Sequence, residues 1–513
     1  MDSPTLSLAQ PSPVGVRPSF GLSIRYLPSL LILALSIFRV WGCHLNADDS
    51  WLLTVGEKWL AGGVPYVDII ETNPPASILL YMPAIIAGHW LGLQAEACVV
   101  VMMFAGVLAS LALAAHILRR AELLSDASAP WWAAASLFLF LFLPDYVFAQ
   151  REHIAAVLVL PVLATYASAM AGRPTPWATQ LGAGLVGGIC VAVKPYFGFA
   201  LLLPLAVALF SMKDGWMQRL GLAFAPVNLL IAGIVGLYGV LAFAFFPAFS
   251  RDILPLVVAL YLPLRLPVLI LLGWVVKCAL PAPYLLSRVI EPGRRLSPPL
   301  LMLVTASTGF ALAMFIQGKA WPYHLYPTLT LAILALFGGL VEALLAARAK
   351  WFATGILASM LVCSVMTAYA QSLFSRVSYP PEVVEAVRKM GFVKPKILVI
   401  CGDIALGHPL VREVGGEWVG RLSSQWISIN ASVMLADGRP LSQEERERLQ
   451  SYIAYDRATL MQDIVERKPD LVLIEEVWWK STAAKKPDIV AVLSDYEAAG
   501  TVDEIVILRR KAP

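Results

Sequence analysis

Charge is scarce in this sequence: Asp, Glu, Lys and Arg make up 14% of its 513 residues, about half of what a soluble globular domain carries. With 58% hydrophobic residues and a mean hydropathy of +0.72, the chain reads as a polytopic membrane protein. A net charge of +4 gives no pointer to nucleic acid. Cysteine is also sparse, and Cys43, Cys98, Cys190, Cys278, Cys363 and Cys401 lack metal-ligand spacing; most lie inside apolar runs, where they read as small buried hydrophobes. A P-loop, a G-x-G-x-x-G turn after a strand, an H-E-x-x-H helix and a nucleophile-elbow serine are all missing. Their absence removes the common nucleotide-binding, zinc-protease and serine-hydrolase chemistries. Nor does the chain divide into the two similar halves carried by many transporters.

What is present is organised in three parts. Residues 1–23 are polar and rich in Pro and Ser and read as a disordered cytoplasmic tail. No small-residue cleavage site follows the next apolar run, which therefore reads as a retained helix. Residues 24–371 hold successive apolar stretches, from 24–43 to 350–371, most of them long enough to cross about 30 Å of hydrocarbon. The Arg and Lys residues of alternate loops fall on one side only if 76–93, which opens "NPPASILLYMP", is a juxtamembrane or re-entrant helix. That choice gives about eleven crossings, N-terminus inside and C-terminus outside. Residues 45–96 then form a first outer loop with juxtamembrane helices. After 371 the composition changes: "KPKILVICG" (394–402), "PDLVLIEEV" (469–477) and "VDEIVILRR" (502–510) read as strands, and 442–467 as a charged-faced helix. Residues 372–513 are expected to form a small periplasmic α/β domain.

Ionisable residues collect in the outer loops, where they are costly unless partnered or functional. The stretch 48–61, "DDSWLLTVGEKWLA", has the pattern of an interfacial helix, with Asp48 or Asp49 as its cap and the other carboxylate left for a proton or a metal. Glu152, in "REH" at 151–153, stands either as a first-turn acid favouring the helix dipole or as a partner of Asp49 across an outer cavity. In the second case Asp49, Glu152 and His153 are candidate ligands for a divalent cation, with oxygen donors suiting Mg or Mn better than zinc. Lys319 and His324, in "QGKAWPYHLYP", together with Lys194 and Arg265, are suited to hold a phosphate oxyanion. For each of these cations an interfacial anchor is an equal alternative.

Taken in order, "NADDSW", "WLAGGVPYVD" and "NPP", then "QREHIAA", "GLVGGICVAVKPYFG" and "WPYHLYP" make the chain resemble the GT-C class of integral-membrane glycosyltransferases. That group includes protein O-mannosyltransferases, the aminoarabinose transferase of lipid A and rhizobial lipid A galacturonosyltransferases, and the resemblance spans most of 24–346. It implies a GT-C-like fold and transfer of a sugar from a polyprenyl-phosphate carrier to a glycolipid or polysaccharide acceptor on the periplasmic face of the bacterial inner membrane. By the same resemblance Asp49 or Asp48 is the general base or metal-side carboxylate, and Glu152 the second acid. Lys194, Lys319 and His324 contact the carrier phosphate. The family often has Asp where this sequence has Glu152, which bears on metal dependence. The alternatives are a transporter or flippase of lipid-linked sugars, and a non-catalytic envelope assembly partner.

Overall fold

The computed structural model describes residues 24–40, 45–212, 215–279, 281–289, 295–345, 349–375, 381–476 and 487–512. The expected N-terminal tail and Cys43 lie outside them. Apolar runs of the sequence become helices close to the expected bounds. Ala95–Arg120, Arg151–Met170, Pro226–Phe245, Pro298–Gln317 and Pro322–Leu345 are long and apolar enough to cross a membrane. Shorter apolar helices, among them Trp177–Val193 and Ser359–Phe374, lie between and beyond them. The Arg151–Met170 and Pro322–Leu345 helices are buried along most of their length, whereas Pro226–Phe245 faces outward. In hydrocarbon there is no hydrophobic drive between helices, so close packing of small residues must hold them together. Gly184 and Gly188 serve that purpose: a Cβ on Gly184 would stand 2.8 Å from the Val227 carbonyl oxygen, and one on Gly188 2.7 Å from the Ile234 side chain.

The expected juxtamembrane stretch is two short helices, Pro75–Leu79 and Met82–Leu91, the second ending at the left-handed Gly92. The break between them leaves no continuous helix long enough to span. Ala47–Leu60 is helical as expected, but it does not lie on the lipid surface. Ser50, Trp51, Leu52, Leu53 and Val55 are all buried, because the C-terminal domain covers the side that an interfacial helix would leave to water. Asn46, and neither aspartate, caps this helix, its side chain accepting from the Asp48 N–H at 3.0 Å.

The C-terminal domain is a five-stranded sheet ordered β2-β1-β3-β5-β4, with β1 Lys396–Ile400, β2 Glu417–Trp418, β3 Leu471–Glu475, β4 Tyr496–Val502 and β5 Ile505–Arg510. β1 runs parallel to β2 and β3, and β5 antiparallel to β3 and β4. β1, β3 and β5 were legible as apolar runs. β2 is too short, and β4 too polar, to stand out. The Gln443–Arg467 helix starts from a capping box between Ser442 and Glu445. Arg412 ties the domain to the membrane part, reaching Glu57 at 2.6 and 2.8 Å and Glu96 at 2.5 and 3.1 Å. Ile70 adds a backbone bond to Arg421 at 2.7 Å, and Trp51 packs against His408 and Trp418.

Candidate active site

The turn preceding the Arg151–Met170 helix decides where its first residues go. Ala149 is held at φ +64°, a left-handed conformation that costs a non-glycine residue about 1–3 kcal/mol and persists only where its surroundings impose it. His153 imposes it: its Nδ1 accepts from the Ala149 N–H at 3.0 Å, and its Nε2 lies 2.8 Å from the Phe140 carbonyl oxygen. Both ring nitrogens are therefore engaged by backbone. The expectation of His153 as a metal ligand is corrected; its place is that of a packed, turn-fixing side chain.

Four of the expected residues and one that was passed over meet beyond this turn. Lys194 Nζ donates to Glu152 Oε1 at 2.6 Å, and His324 Nε2 stands 3.6 Å from the same oxygen. Lys194 is the residue where Trp177–Val193 stops, ahead of Pro195, so its side chain leaves a helix end. Tyr323 packs edge-on against His324, with the Lys194 ammonium 5.7 Å from its ring centre. Asp48 Oδ2 lies 3.5 Å from Arg151 Nη2 and accepts from Gln150 Nε2 at 3.4 Å. The Asp48 side chain remains 25% exposed, so it is the open carboxylate of the group. Arg151 is buried, and its Nε and Nη1 have no hydrogen-bond partner among the described residues. The same holds for Glu152 Oε2 and His324 Nδ1.

Asp49 is different from its neighbour. It is fully buried, and burial pushes its carboxyl well above the usual range, against the opposing pull of Tyr81 and Arg151. Hydrogen-bond counting agrees. Tyr81 Oη is 2.8 Å from both Asp49 Oδ1 and the Ala149 carbonyl oxygen, yet a phenol has one proton and a carbonyl can only accept. The three contacts are compatible when Asp49 is protonated and Oδ1 donates to Tyr81, which donates to Ala149, while Asp49 Oδ2 has no hydrogen-bond partner among the described residues. Asp49 thus supports the turn under Arg151 and is poorly placed as a base. Nor does it meet Glu152 directly, which is taken by Lys194.

The remaining cations stand at the rim. Lys319 Nζ donates to the Tyr261 carbonyl at 2.7 Å and to that of Leu264, closing the end of the π-helical Val257–Tyr261 turn. Burial, with Arg265 nearby, lowers its pKa to about 8. Arg265 donates to the Phe315 carbonyl at 2.7 Å and lies over Gly318, where a Cβ would stand 2.9 Å from Arg265 Cγ. Both cations are anchored to backbone carbonyls.

Asp49 is held by Tyr81, Glu152 by Lys194 and His153 by backbone, so these residues do not fit a divalent cation. Among the described residues no group of three or more His, Cys, Asp or Glu is gathered for one. Arg151 is the residue that sequence reasoning missed. The available signal was its position, since a cation in the first turn of a helix opposes the helix dipole and needs an anion to hold it there.

No family model matches the sequence, and no curated protein matches it. Solved structures that match almost the whole chain include two of ArnT. The crystal structure of ArnT from Cupriavidus metallidurans bound to undecaprenyl phosphate superposes with a TM-score of 0.57 at 13% identity, over 94% of this chain and 97% of that one. ArnT in the apo state gives 0.56 at 13%, over 93% and 97%. The chain has the ArnT fold. The GT-C-like architecture expected from the sequence is therefore the one found, including the small C-terminal sheet domain. In this ArnT-like frame the group around Arg151 lies where the first loop, the Arg151–Met170 helix and the start of Pro322–Leu345 converge.

Proposed function

We propose that the protein is a glycosyltransferase that moves a sugar from a polyprenyl-phosphate carrier to a glycolipid or polysaccharide acceptor of the envelope, at the periplasmic face of the inner membrane. The N-terminus is then cytoplasmic and the C-terminal domain periplasmic. One observation carries the reading: a buried guanidinium with two nitrogens unpartnered among the described residues, Arg151 Nε and Nη1, stands beside a half-open carboxylate, Asp48. An anion site and a base in one place are what this transfer needs, and the fold is that of a protein crystallised with undecaprenyl phosphate.

In the proposed reaction an acceptor hydroxyl attacks the anomeric carbon. The bond from that carbon to the phosphate oxygen breaks with its electron pair staying on the phosphate, and Asp48 takes the hydroxyl proton. Arg151 stabilises the charge gathering on the leaving phosphate, and its planar fork suits phosphate oxygens. His324 stands beside Glu152, its Nε2 3.6 Å from Glu152 Oε1. Lys194 is neutralised by Glu152, and that pair sets the position of Arg151 and His324. Lys319 and Arg265 raise the positive potential at the rim.

The test is mass spectrometry of envelope glycolipids and polysaccharides from a deletion strain carrying wild type, Asp48→Asn or Arg151→Gln, with each variant quantified in the membrane. The expected result is a discrete sugar mass lost on deletion and restored by wild type alone. Full restoration by both variants would overturn the proposal.

A further inference from the structure

A second pocket lies at the other end of the Arg151–Met170 helix. Arg151 begins that helix and Ser168 is near its end, so the two are separated by about 26 Å at 1.5 Å per residue. The pocket has a volume of about 320 Å³ and is lined by His116, Arg120, Ser168, Arg173, Thr175 and Thr179, among others, room on the order of ten waters.

Its chemistry is that of a phosphate site. Arg120 closes the Ala95–Arg120 helix, and among the described residues neither it nor His116 has a hydrogen-bond or ion-pair partner. Arg173 is paired with the exposed carboxylate of Glu122. The Trp177–Val193 helix begins here, and its first backbone N–H groups lack partners within the helix and favour an anion. Thr175 supplies an independent observation: it is 7% exposed and lines the pocket, and its hydroxyl has no hydrogen-bond partner among the described residues. A buried hydroxyl is costly when unpaired, and Thr175 shares the lining of this pocket with Arg120, Arg173 and His116.

We infer that this pocket binds a phosphate-bearing anion, the headgroup of an acidic phospholipid. The arginines at this end of the bundle (Arg119, Arg120, Arg173 and Arg219) mark it as the cytoplasmic side, where the leaflet is rich in acidic lipid and basic pockets between helices take up headgroups. Its distance from Asp48 and Arg151 separates it from the transfer site.

The experiment is native mass spectrometry of the delipidated full-length protein titrated with dioleoyl phosphatidylglycerol, with dioleoyl phosphatidylcholine, or with inorganic phosphate. Phosphatidylglycerol is expected to be retained over phosphatidylcholine. Loss of one arginine contact should weaken retention about fivefold in Arg120→Gln, and Thr175→Val should weaken it as well. Arg219→Gln, which removes a charge at the same end but outside the pocket, should leave it unchanged. Retention of inorganic phosphate with the same variant dependence, and no retention of phosphatidylglycerol, would support the anion site but assign it to a free phosphate. Equal retention of both lipids without phosphate binding would overturn the inference, as would equal weakening by Arg219→Gln. Thr175→Val keeps the test decisive should Arg120→Gln fail to fold.

Discussion

Glu152 is set against both Lys194 and His324, at 2.6 and 3.6 Å, with both partners buried. Replacing it by Gln keeps the shape and removes the charge, leaving the Lys194 ammonium in a low-dielectric interior without its counter-charge, while Arg151 keeps Asp48. Breaking a buried ion pair from one side costs about 3–5 kcal/mol, so Glu152→Gln should destabilise the protein by that amount. Lys194→Met removes the stranded ammonium, and the double variant should recover much of the loss, with a coupling of up to about 3 kcal/mol. The assay is unfolding in mixed micelles under graded denaturing detergent, followed by tryptophan fluorescence, on wild type, both single variants and the double. Activity separates the roles: if Glu152 only positions Arg151 and His324, the double variant regains part of the transfer rate along with its stability. Additive losses, with no coupling beyond about 0.5 kcal/mol, would refute the argument that the pair acts as one unit.

The two adjacent aspartates should behave oppositely. Asp48→Asn removes the proposed base and should lower turnover by about 10²–10⁴-fold. Asp49→Asn replaces a group already protonated and should leave turnover near wild type in the same transfer assay. In the C-terminal domain, burial raises the Asp456 carboxyl to about 6 despite its bond from the Ser428 N–H. The unfolded chain releases that proton near pH 3.9 while the folded one holds it to about 6, so stability falls as pH rises through this window, by about 3 kcal/mol. Asp456→Asn should abolish that fall in unfolding measured from pH 4 to 7. Arg412→Gln cuts the ties to Glu57 and Glu96 and should loosen the domain from the Ala47–Leu60 helix by about 2 kcal/mol, seen as faster amide exchange in that helix. Unchanged exchange would show that the Trp51, His408 and Trp418 packing suffices.

Periodicity and composition determined the architecture. A hydrocarbon-spanning helix must satisfy its own backbone, so long apolar runs had few alternatives, and the Val- and Ile-rich runs after residue 394 could only be buried strands. Local chemistry also fixed Gln443–Arg467, whose capping box is written in Ser442 and Glu445. The site was legible as an inventory of residue types and not as a set of partners. Asp48 and Asp49 are neighbours in the sequence with the same side chain; only the packing of Tyr81 and Ala149 around one of them makes it a buried acid and leaves the other open. Likewise His153, Lys194 and Arg151 had similar claims as polar residues near a membrane boundary. The tertiary structure gave His153 to the backbone and Lys194 to Glu152, and it left Arg151 with nitrogens unpaired among the described residues. Charge and burial arise from contacts between residues as far apart in the chain as Glu152, Lys194 and His324, and no local pattern encodes which of several candidates will be neutralised. That is why the fold could be read from the chain, while the division of labour within the site depended on the folded arrangement.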